Sequence, residues 1–206
     1  VQMEYLQEKF DKKGLMILYT APWPGQGFYT KFPVNSVSDF KGKKLRIYST
    51  ATQQMGSMLG FNATILPFAE IPQAFSTGLI EALFTSPQTG IDIQAWDNTK
   101  HFTYAGAIFS KNAVVVTKKA FNALSKGDQS NMLAAAKKAE LRGWEMSAET
   151  TKKQIGILKK NGMSSKNAPD EVISKMKSIG LEMMKNWRSK ASPEANAVLD
   201  RYLSMR

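Results

Sequence analysis

Between residues 15 and 118, short apolar and β-branched runs alternate with helix-compatible stretches, and after residue 120 no such run recurs. That alternation leaves few options, because strands that alternate with helices favour parallel pairing and right-handed crossovers. Residues 15–19, 45–49, 63–68 and 82–86 read as strands, and 52–59, 70–76 and 89–96 as helices, the first two closed by Gly60 and Gly78. The runs 102–108 and 113–118 are expected to pair with each other as strands. Ala21-Pro22-Trp23-Pro24-Gly25-Gln26-Gly27 reads as a loop, because prolines and glycines break it. Ser36 is expected to cap a helical turn that Gly42 closes.

Beyond residue 120 the pattern is helical. One helix is expected over about 128–160, with Asp128 as N-cap and Asn161-Gly162 as its stop. Ala134, Leu141, Ala148 and Ile155 recur every seven residues, and Trp144 and Leu158 follow at helical spacing, which predicts one buried stripe. At 1.5 Å per residue such a helix is on the order of 50 Å long, more than one small lobe covers, so it is expected to run along two. Pro169-Asp170-Glu171 opens a further helix with Val172, Met176, Ile179, Met183 and Trp187 on its buried face. Ser192-Pro193-Glu194 opens a last short one. The organisation expected is a strand-and-loop crossing over 1–30, an α/β lobe over 31–118 and a helical part over 119–206.

Composition removes whole classes of chemistry. The 206 residues contain no cysteine and one histidine, His101, so thiol nucleophiles, disulfides, iron–sulfur clusters and multi-histidine metal sites are excluded. No metal and no cofactor are expected. Apolar runs fall far short of the roughly 20 residues of a membrane span, and the N-terminus carries no leader pattern. The net charge of +11 is uneven: residues 1–110 carry +1 and residues 111–206 carry +10. A basic half raises nucleic acid or an anionic membrane as a partner. However, the lysines come as scattered pairs, such as Lys137-Lys138 and Lys152-Lys153, with no accompanying RNA-binding motif. Solvated helix faces are the expectation, and no nucleic acid.

In parallel sheets, ligands bind beyond the carboxyl ends of the strands. Those ends are Ser49-Thr50-Ala51, Pro67-Phe68-Ala69-Glu70 and Thr85-Ser86-Pro87-Gln88. They offer hydroxyls, helix starts and an aromatic ring, which suits a small polar or anionic ligand, and no nucleophile–base pair, so no catalytic residue is assigned. Arg46 is the oddity, a guanidinium inside the strand-like Leu45-Arg46-Ile47-Tyr48. A buried guanidinium needs an anion, and its planar fork matches a carboxylate. Two readings stand level: a ligand carboxylate, or an internal salt bridge to Asp39, Glu70 or Glu81.

The stretch from Lys31 to Ile47, with Ser36, Asp39, Lys41-Gly42 and Leu45-Arg46, resembles the K-x-I-x-S-x-x-D-L-K-G-x-K-I-R segment of the DctP-type solute-binding proteins of TRAP transporters. Leu59-Gly60, Pro67-Phe68, Glu70 and Ala74, then Thr77-Gly78 and Glu81, resemble the blocks that follow in that family. The resemblance implies an α/β fold of the periplasmic-binding-protein-like type II, with a parallel-sheet lobe and a long helix spanning both lobes. It also implies a periplasmic protein, monomeric and not an enzyme, that captures a small organic acid in an interlobe cleft and delivers it to TRAP membrane subunits. Arg46 would pair with the ligand carboxylate. Thr85 and Ser86 stand where the family often has other polar contacts, and Trp23, Tyr48 and Phe68 would wall the ligand, with Gln26 beside them. Family members carry a longer N-terminal α/β portion, so about a third of the usual chain is expected to be missing. Two rival readings remain: a small α/β enzyme on an anionic substrate, with Glu70 as acid or base, and a basic helical interaction module over 120–206.

Overall fold

The computed structural model describes residues 1–205. In chain order the elements are α1 (Met3–Asp11), β1 (Leu15–Pro22), β2 (Gln26–Thr30), β3 (Lys44–Ile47), α2 (Thr50–Met58), β4 (Asn62–Ile65), α3 (Ile71–Ser76), β5 (Ala82–Thr85) and α4 (Pro87–Asp92). They continue with β6 (His101–Ala107), β7 (Lys111–Thr117), α5 (Lys118–Asn122), α6 (Lys126–Lys160), β8 (Ser164–Asn167), α7 (Asp170–Arg188) and α8 (Pro193–Leu203). The chain divides into two units, one from residues 1–22, 111–147 and 183 onward, the other from residues 23–110 and 148–182. The 35-residue α6 contributes to both.

The second unit holds a six-stranded sheet in the order β4-β3-β5-β2-β6-β8. Strands β3, β4 and β5 are parallel, as the alternation predicts, and β6 is parallel to β8. The sheet is nonetheless mixed, because β2 lies antiparallel between β5 and β6. Its residues begin inside the stretch expected to be a loop. Gly27 is there for space: a Cβ would sit 2.5 Å from the Thr103 carbonyl oxygen and 2.9 Å from the Phe102 ring. Residues 102–107 and 113–117 are strands that do not pair with each other; β7 pairs with β1 in a separate antiparallel sheet in the first unit. Near the end of β6 Gly106 has φ 59°, and Ile108 follows at φ 54° in the connection to β7.

Side chains alternate across the sheet. One face is aromatic: the rings of Phe40 and Phe84 each lie 4.8 Å from that of Phe28, with Phe61 at 5.9 Å. The opposite face carries Tyr29, Leu83 and Phe102, packed with Ile71, Phe75, Ile80 and Leu158. Arg46 pairs with Leu83, which pairs with Tyr29, so the guanidinium belongs to this second face.

Asp39 anchors the turn before β3. Its carboxylate accepts the N–H groups of Asn35 at 2.7 Å and Ser36 at 2.9 Å, and these bonds hold its pKa below the ordinary carboxylate value. The stabilisation it gives is present at neutral pH and is lost as pH falls through that depressed folded value. Asp39→Asn is therefore expected to lower the melting temperature at neutral pH and to narrow the gap to wild type in strong acid. A pH series of thermal melts checks this.

The long helix starts at a Ser125 cap rather than at Asp128. The Asp128 N–H donates to Ser125 Oγ at 3.1 Å, and the Ser125 hydroxyl donates to the Asp128 carboxylate at 2.7 Å. Its buried stripe also differs from the predicted one. Leu141 and Trp144 are exposed, whereas Ala136, Glu140, Gly143, Ser147, Thr151, Gln154 and Leu158 follow the helical period and are buried or half-buried. Close approach selects small residues: a Cβ on Gly143 would meet the Ala21 side chain at 3.3 Å. Glu140 is held by specific bonds, accepting from the Thr20 N–H at 3.0 Å and the Thr20 hydroxyl at 2.7 Å. No helix of the described residues is long and apolar enough to cross a membrane.

Candidate functional site

The carboxyl ends of β3 and β5 bring a cationic group to the second unit's sheet. Arg46 is 5% exposed, and its Nε donates to the Leu66 carbonyl at 3.0 Å. No carboxylate of the described residues lies within 4.0 Å of the guanidinium. The three candidate partners are engaged elsewhere or exposed. Asp39 accepts from its own turn, Glu81 lies 3.7 Å from Lys43 Nζ, and Glu70 faces solvent. Among the described residues the internal salt bridge is thus absent, and both terminal nitrogens lack a hydrogen-bond partner there without being sealed from solvent. Burial pushes the guanidinium pKa below its ordinary value. A desolvated cation with free planar donors is a site for an anion that can accept bidentately.

Tyr48 follows on the same side of β3, its ring centroid 6.0 Å from Arg46 Cζ. The tyrosine hydroxyl meets Gln26, a residue 3% exposed at the start of β2. Gln26 Nε2 is 2.8 Å from Tyr48 Oη, 2.9 Å from the Ile108 carbonyl and 3.0 Å from Ser110 Oγ, and Gln26 Oε1 is 3.0 Å from Tyr48 Oη. Arg46, Tyr48 and Gln26 therefore form one connected group. Thr85 ends β5 two residues after the partner of Arg46 and is buried.

Ser86 is next, but its hydroxyl is spent on the helix that follows. It caps α4 by accepting the Thr89 N–H at 3.2 Å and lies 3.0 Å from Thr89 Oγ1. Trp23 is half-buried, and its N–H donates to the Ser110 carbonyl at 2.7 Å. Phe68 stands 53% exposed beyond β4. Sequence reasoning missed Ile108, Ser110 and Leu66, each of which enters through a backbone carbonyl or a hydroxyl brought in from a distant segment. Among the described residues, no three His, Cys, Asp or Glu side chains are grouped to hold a metal ion.

Residues 1–190 match the family "DctP: Bacterial extracellular solute-binding protein, family 7". The structure is similar to DctP7 of Bordetella pertussis, an extracytoplasmic solute receptor binding pyroglutamic acid, with a TM-score of 0.93 and 39% identity over 97% of this chain and 66% of that one. It is equally similar to DctP6 of the same organism, a second receptor binding pyroglutamic acid, with a TM-score of 0.94 and 35% identity over 98% of this chain and 67% of that one. A solute-binding protein of Chromohalobacter salexigens is 25% identical over 160 residues, which are 74% of this chain and 47% of the relative. The chain thus spans about half the length of that curated relative and about two thirds of the solved ones. These relatives are solute receptors, not enzymes, and the reading of Glu70 as acid or base falls with that finding.

Proposed function

The chain belongs to the DctP family of bacterial extracellular solute-binding proteins, family 7, and on that premise we propose that it captures a small organic acid through Arg46 and delivers it to the membrane subunits of a TRAP-type transporter. The observation that carries the reading is the buried guanidinium with no anion among the described residues and two open nitrogens. A ligand carboxylate supplies the missing charge, and its two oxygens match the fork. The Tyr48 ring stands 6.0 Å from the guanidinium carbon and Thr85 ends the neighbouring strand on the same face, with Trp23 and Phe68 as apolar walls. Ser86 acts by holding the end of β5 through its cap on α4. The family's description as extracellular supports a periplasmic location. The ligand class favoured is a small cyclic monocarboxylate such as pyroglutamate, which two relatives at 39% and 35% identity bind.

A thermal-shift screen of small carboxylates tests this on the 206-residue chain and on a form extended to the length of its relatives. A ligand at a hundred times its dissociation constant adds about 2.7 kcal/mol to the stability of the folded state. L-pyroglutamate is expected to raise the melting temperature of the extended form. Silence from every carboxylate in both forms would sink the proposal.

A further inference from the structure

We propose that Gln26 is a positioning residue, which fixes Tyr48 beside Arg46 by tying the tyrosine hydroxyl to the Ile108–Ser110 segment without touching the ligand itself. The inference rests on the reading of Arg46 as the carboxylate anchor.

The amide of Gln26 has nothing left to offer a ligand. Its two N–H bonds face three acceptors within 3.0 Å, and its carbonyl oxygen faces the Tyr48 hydroxyl at 3.0 Å. A polar side chain only 3% exposed requires such partners, and here all of them belong to the protein. Tyr48 is a rigid lever, so holding its hydroxyl holds its ring, and the ring lies 6.0 Å from the Arg46 guanidinium carbon. A cation near an aromatic face gains from the ring only while that geometry persists.

The far end of the cluster is built to stay in place. Ile108 has φ 54°, a left-handed conformation that a β-branched residue adopts only when its surroundings impose it. That conformation accompanies a carbonyl 2.9 Å from Gln26 Nε2. The pairing of β2 with β6 slips between Gln26 and Gly27, and Gly106 takes φ 59° within the slip, so the strand end is re-aimed where the glutamine needs its acceptors. Ser110 completes the tie with its hydroxyl on Gln26 and its carbonyl on the Trp23 N–H. Two residues expected to wall the ligand, Tyr48 and Trp23, are thereby referred to one short segment.

A double-mutant cycle on the dissociation constant for L-pyroglutamate in the extended protein tests this. Gln26→Ala and Tyr48→Phe are each expected to weaken binding about 10-fold, and the double variant also about 10-fold rather than 100-fold, because both remove the same tie. A purely structural glutamine would instead weaken binding equally whether residue 48 is tyrosine or phenylalanine. Additive losses, or an unchanged dissociation constant in Gln26→Ala, overturn the proposal. If Gln26→Ala does not fold, Ser110→Ala takes its place in the cycle, with a loss of a few-fold that vanishes in the Tyr48→Phe background. Arg46→Ala run alongside separates the two readings. Wild-type binding that disappears in Arg46→Ala while the cycle is additive defeats only the role of Gln26. Absence of wild-type binding defeats both.

Discussion

Arg46→Ala is expected to weaken the binding of a small carboxylate by about 30-fold or more, or 2 kcal/mol, as loss of a charge-assisted bidentate pair does. The magnitude follows from where the guanidinium sits. It is almost fully buried, its hydrogen-bond partner among the described residues is the Leu66 carbonyl, and burial depresses its pKa, so the unliganded protein bears a desolvation penalty that no anion of those residues offsets. A ligand carboxylate is the group that removes the penalty, and alanine removes the reason for binding. The melting temperature of the unliganded variant should therefore move far less than the affinity does, since the fold gives up an uncompensated charge together with one hydrogen bond. Arg46→Lys keeps the charge but loses the planar fork and the bond to Leu66, and it is expected to fall between alanine and wild type. Calorimetric titration of all three with L-pyroglutamate checks the order. Equal affinity in the alanine variant removes Arg46 from the site.

How much of this was legible in the sequence depended on how local its cause was. Leu45-Arg46-Ile47-Tyr48 announced a strand with a charge inside it, and the helix starts and glycine stops around β3, β4 and β5 gave the parallel part of the sheet. What could not be read locally was whether Arg46 had an internal partner. Asp39, Glu70 and Glu81 were all available by composition, and only the fold sends Asp39 to its own turn and Glu81 toward Lys43. Strand β2 was hidden because Gly27 looks like a loop residue until Thr103 and Phe102 are seen pressing on it. The stripe of α6 was misread for a related reason. Periodicity favours large apolar residues such as Leu141 and Trp144, whereas close approach at Gly143 and hydrogen bonds at Glu140 select residues that hydropathy ranks low. Gln26 was placed at the site, but the partners that consume its amide come from residues 108 and 110, more than eighty positions away, and no local pattern carries that information.

The other large effect is on stability, and it originates in the strand the sequence concealed. Phe28 in β2 is fully buried, with the rings of Phe40 and Phe84 at 4.8 Å and Phe61 at 5.9 Å. Phe28→Ala is expected to cost about 3–5 kcal/mol, because these neighbours come from three separate segments and cannot all collapse into the space. For a chain of this size that is a fall in melting temperature on the order of 10 °C. Leu181→Ala, at a position 64% exposed, serves as control and should stay within about 0.5 kcal/mol. A loss below about 1 kcal/mol for Phe28→Ala would mean that the aromatic face is not a packed core. Adding ligand then separates packing from recognition. Phe28 lies on the face of β2 opposite Tyr29, away from Arg46, so saturating L-pyroglutamate should raise wild type and Phe28→Ala by similar amounts and leave the gap between them open. Arg46→Ala should show the reverse, a modest deficit without ligand that widens with it, because only the wild type gains the binding free energy. The two variants thus separate in the same melting data, and a Phe28→Ala gap that widened with ligand would place the aromatic face in the binding site instead of behind it.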